Sequence, residues 1–171
     1  MTNPNKTDVR GTDEMKKIHE HTQTLSAESA DRVNEDALWN GLVRFVRNPE
    51  KYSEQIRSSR VTSAASDRPD CVFERVLDFG SHRVSDCVYL DAAERRIEFH
   101  VHAAKDYPAS KLSMRILRSA GGLPSVTFTY YALSEPQLPE ALRPLLLQAW
   151  ENKDKDLLEQ IVLEALEAPA R

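Results

Sequence analysis

From Arg57 to Leu133 apolar and polar residues alternate with a period of about two, while on both sides of that stretch the period is about 3.6. A sheet flanked by helices follows. Candidate strands are Arg57 to Ala64, Cys71 to Phe79, His82 to Leu90, Arg95 to Ala103, Lys111 to Ser119 and Ser125 to Leu133, with turn formers in the gaps. Connections this short demand an antiparallel meander, and Gly121-Gly122 supplies the positive φ of a tight last hairpin. Ahead of it, the run from Met15 to Leu25 nearly alternates and reads as one more strand, followed by a loop-like Ser26 to Arg32. Asn34 then has the side chain of a helix N-cap, with Glu35 and Asp36 in the first turn and Leu38, Leu42, Phe45 and Val46 on one face. Asn48-Pro49 ends that helix, and Pro49 can open a second short one through Glu50, Tyr52 and Ile56. Beyond Pro136 and Pro139 the helical period returns as far as about Ala168, with Pro144 either starting or kinking the helix.

This order predicts an α+β architecture: a curved seven-stranded antiparallel sheet wrapped around a long C-terminal helix, with two short helices after the first strand. Residues 14–168 form the domain, and residues 1–13 read as a disordered tail with too little apolar surface to order it. Alternation assigns the inward faces. Ile97, Phe99 and Val101 point one way and Arg96, Glu98, His100 and His102 the other; Leu112, Met114 and Ile116 form a second inward row, and Val126, Phe128 and Tyr130 a third. Arg75 lies inward between Phe73 and Leu77. On the last helix Trp150, Asp154, Leu157, Leu158 and Ile161 make one stripe that leaves Asp156 outside. The expected ligand-binding set is therefore Phe73, Arg75, Phe99, Val101, Met114, Ile116, Phe128, Tyr130, Trp150, Asp154 and Leu157. Side chains of these types equally make ordinary core. A carboxylate in the stripe needs a polar partner, with Arg75 and Tyr130 the candidates, unless the helix turns enough to bring Asp154 to water at the rim.

Composition narrows the function classes. The chain has 171 residues, one domain's worth, of which 40% are hydrophobic and 29% charged, as in ordinary globular proteins. A net charge of -4 argues against a nucleic-acid surface. No apolar run approaches the roughly 20 residues of a membrane span, and the polar start lacks a signal sequence's apolar segment, so a cytoplasmic location is expected. Cys71 and Cys87 have neither disulfide-framework nor zinc-motif spacing and read as buried thiols. His19-x-His21 and His100-x-His102 each put two imidazoles on one strand face, but the two strands are not neighbours in this fold and no carboxylate is obviously shared. No GxSxG elbow accompanies the Ser, His and Asp residues, and Gly121-Gly122 lacks the Lys-Ser or Lys-Thr of a phosphate loop. Neither a catalytic residue, a metal ligand set nor a cofactor is assigned.

Three segments carry a family resemblance: LWNGLVRFVRNPEKY (Leu38 to Tyr52), SVTFTY (Ser125 to Tyr130) and QAWENKDKDLLEQIV (Gln148 to Val162). They resemble the AtaL-like family of the START-like, or SRPBCC, superfamily over about Met15 to Leu166. The most specific parts are Trp39-Asn40-Gly41-Leu42, Asn48-Pro49 and Asp154-Lys155-Asp156. The resemblance implies a helix-grip fold with an internal hydrophobic pocket, in a superfamily of lipid carriers, hormone receptors, polyketide cyclases and aromatases. The Lys105 to Ser110 loop and the Asp67 to Asp70 turn depart from it, being longer and more polar. The expected function is binding or transport of a small hydrophobic or aromatic molecule without catalysis. The alternative is a polyketide cyclase or aromatase type of enzyme acting in the same cavity. Self-association into a homodimer is left open.

Overall fold

The computed structural model describes residues 15–62 and 72–168; the tail over residues 1–13, the Asp67 to Asp70 turn and Cys71 lie outside the described residues. Seven strands form one antiparallel sheet: β1 (Lys16–Thr24), β2 (Ser58–Val61), β3 (Phe73–Asp78), β4 (Arg83–Asp91), β5 (Arg96–Val101), β6 (Ser110–Arg118) and β7 (Pro124–Ala132). Their order is β1-β7-β6-β5-β4-β3-β2, so the meander runs from β2 to β7 and the first strand closes beside the last. The curved sheet grips α3 (Arg143–Glu167), while α1 (Ala27–Ala30) and α2 (Glu35–Arg47) follow β1.

Local sequence explains most of these boundaries. Asn34 caps α2, its side-chain oxygen accepting the Ala37 N–H at 2.8 Å, and acidic residues occupy the first turn and Arg44 and Arg47 the last. Pro144 starts α3 rather than kinking it, because a missing N–H costs nothing in a first turn. At the β6–β7 hairpin Gly122 has φ +79°, a conformation glycine adopts without strain, and its N–H donates to Ser119 O at 2.9 Å. Two expectations need correction. The segment after β1 is not all loop, since Ser26 Oγ accepts the Ser29 N–H and nucleates α1. Pro49 opens only a single 3-10 turn, Pro49–Lys51, because the chain must then extend to join β2.

The core lies between the concave face and the two longer helices. Leu38, Leu42 and Val46 of α2, Leu157, Leu158 and Ile161 of α3, and Val88, Ile97, Met114, Val126 and Phe128 of the sheet are all buried. The helices meet at Gly41, where an added Cβ would lie 2.3 Å from Ile161 Cγ2. Gly41→Ala should therefore lower stability by about 1–3 kcal/mol through overpacking. Urea denaturation reads this directly, and an unchanged midpoint would show that the contact can relax. A charged pair enters this core: Arg75 donates to both Asp86 oxygens, at 2.8 and 2.9 Å, and to Val46 O at 2.7 Å.

Candidate functional site

The site is built where β1, β7 and α3 come together. A register shift in β1 between Lys17 and His19 sets its parity, so that His19 faces Tyr130 and His21 faces Phe128 across the pair with β7. Both imidazoles thus point to the concave side, toward α3. There the helical stripe presents Trp150 and, one turn on, Asp154, which is 2% exposed.

Asp154 Oδ2 accepts two hydrogen bonds, from Tyr130 Oη at 2.5 Å and from His21 Nε2 at 2.7 Å. Lys153 Nζ lies 3.8 Å from the other oxygen. The buried carboxylate is therefore compensated, as its burial requires. Gln23 Nε2 stands 3.4 Å from His21 Nδ1, which fits a ring protonated on Nε2 and accepting on Nδ1. Burial, then the charge of Asp154, then its hydrogen bond push the Tyr130 phenol far above the ordinary tyrosine range. Tyr130 is thus a fixed hydrogen-bond donor and not a base. Ring contacts complete the cluster: Tyr130 stacks on Trp150 with centroids 4.6 Å apart, and His21 on Phe128 at 5.1 Å. His19 bonds to Glu151 at 3.0 Å beside them.

Tyr130 and Trp150 form part of the wall of a cavity of about 570 Å³, together with Ile18, Val101, Leu112, Tyr107 and Pro108. The last two come from the loop between β5 and β6, and the segment from Ser134 to Gln137 lines the other side. A second cavity of about 460 Å³ lies between the end of β1, α1 and Leu158, Val162 and Leu166 of α3, without an aromatic side chain.

Of the residues expected to bind a ligand, Val101, Tyr130 and Trp150 reach the larger cavity. Asp154 stands behind Tyr130, holding its hydroxyl. Phe73, Phe99, Met114, Ile116, Phe128 and Leu157 are packed into the hydrophobic core, and Arg75 is engaged by Asp86. Of the two partners considered for Asp154, Tyr130 is the one it has; Arg75 is tied up elsewhere because Asp86 is its direct cross-strand neighbour. His21 escaped the sequence reading as an Asp154 partner. Its signal was the His19-x-His21 alternation, weighed only as a metal pair.

The chain matches the family model described as AtaL, acetylaranotin biosynthesis cluster protein L, over residues 19–158. It belongs to the AtaL family. That span includes the Trp39 to Leu42 motif, whose Gly41 permits the close α2–α3 approach, and Asp154 of the Asp-x-Asp motif. The START-like helix-grip fold of the family member is shared with solved structures of low identity. They include the Zhui aromatase/cyclase from Streptomyces sp. R1128 (TM-score 0.60, 14% identity, 88% of this chain and 93% of that one). Ara h 8.0201 gives TM-score 0.57 and 13% identity over 90% and 99% of the two chains. TTHA0849 from Thermus thermophilus gives 0.58 and 15% over 88% and 98%. No curated protein matches this AtaL-family chain. None of its described helices is long and apolar enough to cross a membrane.

Proposed function

We propose that this protein binds a small apolar or aromatic molecule in the 570 Å³ cavity and holds it without converting it. The observation that carries the reading is the stacked Tyr130–Trp150 pair on the cavity wall, locked by the Asp154 carboxylate behind it. A rigid aromatic wall gives a flat ring system something to stack on at little entropic cost. The volume suits a drug-sized ligand. Each 100 Å² of apolar surface withdrawn from water contributes about 2.5 kcal/mol.

The runner-up is a cyclase or aromatase type of enzyme, favoured by the presence of Asp154, His21 and Tyr130 next to the cavity. Binding is preferred on accessibility. Asp154 is 2% exposed with one oxygen already taken by two donors, and Tyr130 holds its proton tightly, so neither is poised to move a proton at a ligand atom.

An environment-sensitive apolar dye should bind saturably with a stoichiometry near one. Trp150→Ala should weaken it about tenfold, the worth of one good aromatic contact. A folded wild-type protein showing no saturable binding would defeat the proposal.

A further inference from the structure

On the outer face of the sheet, opposite the side that grips α3, three side chains from adjacent strands converge. Glu74 on β3 and Cys87 on β4 are direct cross-strand partners. His102 follows β5, its N–H donating to Ser85 O at 2.9 Å. Cys87 Sγ lies 3.2 Å from Glu74 Oε1 and 3.5 Å from His102 Nε2, and that nitrogen lies 3.9 Å from the same carboxylate oxygen. The three atoms make a triangle. Tetrahedral coordination of zinc by sulfur, nitrogen and oxygen places ligand atoms roughly 3.4–3.6 Å apart. Each edge here is within about half an ångström of that spacing.

The geometry argues against a nucleophile relay. In a Cys–His–acid relay the carboxylate holds the ring nitrogen opposite the thiol, whereas here sulfur and carboxylate approach the same nitrogen. Such convergence is what a shared cation needs. We propose that Glu74, Cys87 and His102 bind a divalent cation of the zinc class.

The chemistry balances. Without metal the Cys87 thiol donates to Glu74. On binding, the S–H bond breaks, its proton leaves to solvent, and thiolate and carboxylate together neutralise the double charge while His102 coordinates as neutral imidazole. Thiolate and imidazole favour zinc over the harder magnesium and calcium ions. The Glu74 and His102 side chains are 31% and 35% exposed, and Cys87 lies buried between them at 0%. The ion would tie β3, β4 and the end of β5 together. The sequence reading weighed only the His-x-His pairs and the cysteine spacing; Glu74, Cys87 and His102 are far apart along the chain, and only the meander register assembles them.

The test uses the whole chain, stripped of metal and titrated with cobalt(II), then with zinc. One equivalent of cobalt should give a thiolate-to-metal charge-transfer absorption with release of about one proton per ion, and zinc should displace it and raise Tm. Cys87→Ser should abolish the absorption. Cys71→Ser should keep it, Cys71 being the chain's other thiol. His102→Ala, a change at a part-exposed strand end, should weaken binding at least tenfold and remove the zinc-dependent Tm shift; it decides the matter even if Cys87→Ser does not fold. A wild-type protein without the stoichiometric absorption, or an absorption indifferent to His102→Ala, would overturn the proposal.

Discussion

Asp86→Ala should lower folding stability by about 3–5 kcal/mol, because it strands the buried Arg75 guanidinium without its counter-charge. Arg75 and Asp86 side chains are 4% and 3% exposed and form a two-pronged pair, with Arg75 also bonded to Val46 O and lying 5.1 Å over the Phe99 ring. The guanidinium carries its charge into the core and needs a partner there. Against a typical total of about 5–15 kcal/mol, the loss is a large share. The double variant Arg75→Met, Asp86→Leu removes both charges at once and should recover most of it. Urea denaturation of the three proteins tests the point. If Asp86→Ala unfolds within about 1 kcal/mol of the wild type, the pair is not holding α2 to the sheet as its geometry implies.

The pair also shows what alternation can and cannot disclose. Val84, Asp86, Val88 and Leu90 share one parity along β4, so Asp86 was readable as an inward carboxylate opposite Arg75 from the strand pattern alone. Strand register was legible because the β3–β4, β4–β5 and β6–β7 connections are short, and each inward row of β5, β6 and β7 lies where its alternation puts it. The parity of β1 was not. Its register shift at Ile18 is set by pairing with β7, a strand about a hundred residues away, so nothing local told which face His19 and His21 occupy. The cavity was displaced for a similar reason. Phe99, Met114 and Phe128 fill the middle of the grip, and the open space lies toward the loops bearing Tyr107 and Pro136, whose paths no periodicity describes. The stripe on α3 did place Asp154 inward, because a long helix with Asp154 among Trp150, Leu157 and Ile161 has one way to face the core.

Asp154→Leu is expected to cost about 2–5 kcal/mol, despite the apolar gain, by leaving two buried donors without an acceptor. Both Tyr130 Oη and His21 Nε2 now donate to one carboxylate oxygen, and the side chains of His21 and Asp154 are 7% and 3% exposed, so water cannot readily replace the lost partner. Tyr130→Phe alone should cost about 0.5–1.5 kcal/mol, since the carboxylate keeps His21 and only one hydrogen bond goes. Combining the two removes one of the orphaned donors, so the double variant should be more stable than the sum of the single losses predicts, by about 1–3 kcal/mol. Binding separates a further role. Tyr130→Phe retains the ring on the cavity wall and should leave the affinity for an apolar dye within about threefold. Asp154→Leu frees the Tyr130 hydroxyl, loosens the stack on Trp150 and should weaken the same dye by more than that in a protein that still unfolds cooperatively. Strictly additive stabilities in the Tyr130 and Asp154 cycle would show the hydrogen bond to be incidental. Unchanged dye affinity in Asp154→Leu would detach the carboxylate from the cavity it backs.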